Sequence, residues 1–131
     1  MPTIFSKIIK GEIPAYKVAE NENFLAFLDI NPLAKGHTLV IPKKEIDYIF
    51  DMDDEWYCEF QLFSKRVARA IKQVIPCDKI GVTVIGLEVA HAHIHLVPIN
   101  SIYDIDFRKP KLKLDPGELA EIASAISKHF V

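Results

Sequence analysis

A chain of 131 residues holds one ordinary domain and little more. Half of it is hydrophobic and 26% is charged, the balance of a globular protein in water. Its net charge of −2, from 16 basic and 18 acidic residues, supplies no basic field for long nucleic acid, although one local pocket can still hold a small anion.

In chain order, apolar Ile4, Phe5, Ile8 and Ile9 follow helical spacing until Gly11 and Pro14 stop it. Ala15–Ala19 and Phe24–Asp29 read as strands around the polar turn Glu20-Asn21-Glu22-Asn23. After turns at Asn31-Pro32 and Lys35-Gly36, His37–Ile41 is a third strand ended by Pro42. Asp53-Asp54-Glu55 puts negative charge at a helix start, and Trp56, Phe60, Phe63, Val67, Ala70, Ile71 and Val74 then form a long amphipathic stripe. Ile80–Ile85 and His91–Ile99 are strands four and five, separated by Gly86 and Glu88. Asp115-Pro116-Gly117-Glu118 opens a last helix, with Leu119, Ile122, Ala123, Ile126 and Phe130 as its buried side. Helices and strands do not alternate regularly, so the expected class is α+β. It comprises an antiparallel sheet of about five strands, a short N-terminal helix, one long helix and a C-terminal helix.

The two cysteines, Cys58 and Cys77, are too few for a disulfide scaffold, match no zinc knuckle, and read as free thiols. Met1–Lys10 lacks the apolar run of a signal peptide, and no stretch nears the roughly 20 apolar residues of a membrane span. A cytoplasmic protein with no membrane partner is expected.

His91-Ala92-His93-Ile94-His95-Leu96 carries three of the five histidines. On a strand these three share a face, about 6.5–7 Å apart in succession, while Ala92, Ile94 and Leu96 turn into the core. A merely solvated histidine face is improbable by composition. A metal site is a second reading, since histidine is the commonest metal ligand, but no cysteine or carboxylate cluster lies nearby in sequence. The third reading is an imidazole nucleophile, His93, flanked by donors that contact phosphoryl oxygens and carry protons.

The alternating segment resembles the signature of the histidine-triad family, His-x-His-x-His with apolar x. Thr3-Ile4-Phe5-Ser6-Lys7-Ile8-Ile9 with Glu12-Ile13-Pro14-Ala15, Phe27-Leu28-Asp29-Ile30-Asn31-Pro32 and Gly36-His37-Thr38-Leu39-Val40-Ile41-Pro42-Lys43 resemble the upstream signatures of its Hint branch, in order. The resemblance covers roughly residues 3–99 and implies a single domain over 1–131, with residues 100–131 as a C-terminal extension. It implies His93 as the nucleophile that forms a nucleotidyl-histidine, His95 as a phosphate contact, His91 as an orienting residue and His37 as a fourth histidine beside the triad. It further implies Asp29 on the ribose hydroxyls and Phe5, Ile8, Phe27 and Ile30 around the base. Read without the resemblance, the apolar residues are plain core and Asp29 is a turn residue.

Two features depart from the Hint pattern. Ile85-Gly86-Leu87-Glu88 is shorter than the glycine-rich loop of many relatives and lacks its asparagine. Glu88 stands where some relatives have a serine, either facing a cationic leaving group or turned away. The zinc-binding cysteine pair of some bacterial relatives is also absent. The implied activity is hydrolysis of a purine nucleoside phosphoramidate or related conjugate by a homodimer, releasing a monophosphate such as AMP, with no cofactor and no metal. The alternatives are a dinucleoside polyphosphate hydrolase, a nucleotide-binding regulator with weak activity, or a metal-dependent enzyme. Ser101–Leu114 is assigned no role: it could line the site, cross to a second subunit or act as a tether.

Overall fold

The computed structural model describes residues 2–131; Met1 lies outside them. The first helix, α1 (Ile4–Ile9), is set by a reciprocal cap. The Thr3 hydroxyl accepts the Ser6 N–H, and the Ser6 hydroxyl accepts the Thr3 N–H. Five strands follow: β1 (Lys17–Glu20), β2 (Phe24–Leu28), β3 (Thr38–Pro42), β4 (Lys79–Thr83) and β5 (Ile94–Ile99). They form one sheet in the order β1-β2-β3-β5-β4, with every neighbouring pair antiparallel. The α+β class read from the sequence is the class observed. Most strand ends move by one or two residues, and Pro42 closes β3 rather than following it, a position where a missing N–H is tolerated.

The sheet is covered on both faces. On one side lie α2 (Asp54–Val74) and α3 (Pro116–His129), started by the side chains of Asp53 and Asp115, which accept the N–H groups of Trp56 and Glu118. Their inward residues, Phe60, Phe63, Val67, Ile71, Leu119, Ala123 and Ile126, pack with Phe24, Ala26, Val40, Ile94 and Leu96 of the strands. Half-buried Trp56 lies with its ring 5.1 Å from that of Phe24 in this layer. The opposite face is smaller: Leu25, Phe27, Leu39 and Ile41 meet Phe5 and Ile8 of α1. Two covers explain why every residue of β2 and β3 is buried. No helix of the described residues is long and apolar enough to cross a membrane.

One expectation is corrected. The strand read as His91–Ile99 begins only at Ile94, so His91 and His93 precede it. Their backbone is bonded elsewhere: the His91 N–H donates to the Val89 carbonyl and the Ala92 N–H to the Ile46 carbonyl. The inward half of the pattern holds, since Ala92, Ile94 and Leu96 are all buried in the helix-side core.

Candidate active site

Strand register assembles the floor of the site. Phe27 pairs with Leu39, Leu39 with His95, and His95 with Thr83, so this row crosses the α1 face of the sheet. His37 precedes β3 and enters from the same side as Leu39, two residues on. Gly36 makes that entry possible. Its φ is +90°, and a β-carbon there would stand 2.7 Å from Ile75 Cγ1.

Hydrogen bonds fix the protonation pattern of the four histidines. The Leu33 N–H donates to His37 Nδ1 at 3.0 Å, so neutral His37 carries its proton on Nε2. That proton points to His95 Nδ1, 3.0 Å away, which leaves the His95 proton on its own Nε2. His91 Nε2 lies 2.8 Å from the Pro42 carbonyl and donates to it, so His91 Nδ1 accepts from the Thr3 hydroxyl at 3.0 Å. His93 Nδ1 is 2.8 Å from the His91 carbonyl, an acceptor only, so the proton sits on Nδ1 and the lone pair on Nε2. Among the described residues nothing hydrogen-bonds that Nε2. The His93 and His95 rings stand 4.9 Å apart, edge to face, closer than the spacing of a regular strand would give.

Burial keeps the supporting imidazoles neutral. It lowers His37 to about 3 and His95 to about 4, helped in each case by a neighbouring histidine of the set. His91 is lowered by burial as well, against the opposing pull of the Pro42 carbonyl.

A cleft of about 340 Å³ opens over His93 and His95. Phe5, Ile8 and Phe27 form its apolar end, and the Phe5 ring lies 4.9 Å from that of His93. Ile30 stands at the rim, 60% exposed, with Asp29 beside it and exposed Glu88 across the mouth. One Asp29 oxygen accepts the Asn31 N–H at 2.9 Å, and the other lies 3.7 Å from His37 Nε2. Burial pushes the Asp29 carboxyl up, against the opposing pull of the Asn31 N–H and nearby positive charge. Every site residue read from the sequence thus borders the cleft or, for His37 and His91, backs a residue that does.

Asp29, His37 and His95 also offer three ligand atoms within 4.8 Å of one another. A metal there would need the His37 Nε2 lone pair, forcing the proton to Nδ1, where it would face the Leu33 N–H donor to donor. The tautomer in place is the wrong one for a cation.

Two contributors, Leu39 and Phe107, lie outside the residues read from the sequence. Leu39 was accessible from its two-residue spacing to His37. Phe107 was not: it comes from the segment without an assigned role and lays its ring 4.7 Å from His95 and 6.1 Å from His37. Phe107 therefore backs the site, and its segment is tied down where the Leu112 N–H meets the Pro32 carbonyl.

Known proteins resemble this chain in sequence and in fold. The chain is 37% identical to an uncharacterized HIT-like protein of Borreliella burgdorferi over 97% of both chains. It is 35% identical to the adenosine 5'-monophosphoramidase of Schizosaccharomyces pombe, again over 97% of both. The crystal structure of a Hit-like protein from Bartonella henselae superposes with a TM-score of 0.85 at 33% identity, covering 97% of this chain and 95% of that one. The HIT domain family matches residues 10–102, which contain His37, the cleft floor and the whole triad. On that match and those relatives, the protein belongs to the HIT domain family.

Proposed function

We propose that this protein hydrolyses a purine nucleoside phosphoramidate, or a related nucleotidyl conjugate, through a covalent nucleotidyl-His93 intermediate. The observation that carries the reading is the His93 tautomer: its Nδ1–H is held by the His91 carbonyl, and its Nε2 lone pair borders the cleft. In the first step that lone pair forms a bond to the α-phosphorus while the bond from phosphorus to the leaving nitrogen breaks, and the nitrogen takes up a proton. In the second step a water oxygen attacks phosphorus, the bond to His93 breaks and the water gives up a proton. One water is consumed, and an amine and a monophosphate such as AMP are released. Dividing one displacement into two lowers each barrier. The His95 Nε2–H sits beside the nucleophile, where it can donate to a phosphoryl oxygen.

The apolar end between Phe5, Ile8 and Phe27 suits a flat base, with Ile30 at its rim and Asp29 in reach of the ribose hydroxyls. Glu88 at the mouth favours a neutral or cationic leaving group over a polyphosphate, whose charge it would repel. The activity in the name of the Schizosaccharomyces pombe relative agrees with this substrate class. No step needs a metal or cofactor. We further read the working unit as a cytoplasmic homodimer. The outer edge of β4 has no partner strand among the described residues, and exposed Phe50 and Ile85 stand with Tyr57 around an adjoining groove.

The test is rapid quenching of the wild-type protein with an adenosine phosphoramidate, followed by digestion. A nucleotidyl adduct on the peptide carrying His91–His95, absent from His93→Ala, is the expected result. Wild-type turnover by His93→Ala, or an adduct on another histidine, would remove His93 from the central role.

A further inference from the structure

Behind His91 runs a chain of hydrogen bonds that the reaction itself does not use. The Glu45 carboxylate at the surface accepts the Ser6 hydroxyl proton at 2.6 Å. The Ser6 hydroxyl accepts the Thr3 N–H at 3.1 Å, and the Thr3 hydroxyl accepts the Ser6 N–H at 3.0 Å. The Thr3 hydroxyl proton is then left for His91 Nδ1, because the Pro42 carbonyl already holds the proton on His91 Nε2. Each hydroxyl has one proton and each is committed, so the 3.1 Å approach of the two oxygens to each other carries none. Each proton thus has one place: Ser6 donates outward to Glu45, Thr3 outward to His91, and the two residues are joined by their reciprocal backbone N–H bonds. The Ser6 hydroxyl holds the Glu45 carboxyl below the usual carboxylate range, so the anchoring charge is present at neutral pH.

We propose that Thr3, Ser6 and Glu45 are positioning residues for His93, acting through His91. The inference rests on the reading of His93 as nucleophile. His91 is fully buried and held by both ring nitrogens, by Thr3 on one side and Pro42 on the other. A residue pinned in that way presents its carbonyl in one place, and that carbonyl is what keeps the His93 proton on Nδ1. His91 and His93 precede β5, so no strand ladder orients them and the side-chain strut takes over that task. The same two hydroxyls cap α1, whose Phe5 touches both the His91 and the His93 rings and whose Ile8 lines the apolar end of the cleft. The cap thus builds the base wall and the nucleophile as one unit.

The experiment compares Thr3→Val, Thr3→Ser and Ser6→Ala with the wild type by two readouts. One is steady-state turnover of an adenosine phosphoramidate; the other is the tautomer of the His93 ring, from long-range proton–nitrogen NMR correlations without substrate. Thr3→Val should lower kcat roughly ten- to a hundred-fold with KM within about twofold, since a small displacement of a reacting group has effects of that order. It should also turn His93 from a single Nδ1–H form into a mixture. Ser6→Ala should move both readouts less and in the same direction, and Thr3→Ser, which keeps the hydroxyl, should restore both. A Thr3→Val protein with wild-type kcat and an unmixed His93 overturns the proposal. So does a loss confined to KM with the tautomer unchanged, which would mark Thr3 as a cap of the base wall only. Should the wild type fail to turn over the phosphoramidate, the proposed reaction falls, while the His93 tautomer still decides the strut.

Discussion

His37 Nε2 and His95 Nδ1 are 3.0 Å apart, and the backbone N–H of Leu33 decides which of them is the donor. The cleft-facing proton on His95 is therefore dictated by a main-chain group two hydrogen bonds away, through His37. Replacing His37 by Ala releases His95 to place its proton on either nitrogen. Turnover should fall about ten- to a hundred-fold, as for other residues that orient a functional imidazole. AMP affinity, which the proposed reading assigns to the cleft, should stay near wild type. A drop in affinity as large as the drop in kcat would show that His37 shapes the cleft instead.

Acid should destabilise the fold through the same pair. His37 and His95 titrate at about 3 and 4 when folded, against an ordinary value of 6.5. Between those limits the unfolded chain takes up protons that the folded chain refuses, so stability falls as pH falls. Their contribution is complete above about pH 6.5 and is lost on descending through about 4 and then 3. Thermal melts across that interval should show a declining Tm, and the His37→Gln/His95→Gln double variant should decline less steeply. Equal slopes would refute the assignment.

Asp29 divides its two oxygens between the Asn31 N–H and the cleft side. Asp29→Ala should weaken AMP binding by about 1–3 kcal/mol, the range of hydrogen bonds to a charged group. A 2',3'-dideoxy nucleotide should show far less difference between wild type and variant in the same titration. Equal losses on both ligands would reduce Asp29 to a turn residue.

The free β4 edge and the Phe50, Tyr57 and Ile85 surface predict self-association. Sedimentation at micromolar concentration should give a dimer, and Ile85→Asp a monomer. A wild-type monomer under those conditions would reject the homodimer.

Turnover should survive exhaustive chelation, because Leu33 holds a proton on the nitrogen that a cation at Asp29, His37 and His95 would need. Loss of activity on chelation, restored by zinc, would overturn that argument.

Much of this architecture was legible in the residues. Alternation placed Ala92, Ile94 and Leu96 inward, helical spacing located α2, and the proline-bearing cap located the start of α3. The histidine segment was legible as chemistry but misjudged as geometry. Alternation cannot reveal that the His91 and Ala92 N–H groups are taken by Val89 and Ile46, which keeps them out of the strand. The strut was hidden for a different reason: Thr3 and His91 are 88 positions apart, and hydroxyls near a helix start read as a cap and nothing more. Phe107 carries no motif. Only the course of Ser101–Leu114 over the sheet brings it to His95.

Trp56, the sole tryptophan, packs on Phe24 in the helix-side layer, with the sheet between it and the cleft. Its intrinsic emission is thereby an optical gauge of whether α2 remains docked, and it is blind to what occupies the other face. A nucleotide entering the cleft bordered by Phe5 and Phe27 should leave the emission spectrum unchanged. Undocking of α2 should shift it to the red, so the two events can be followed separately in one sample.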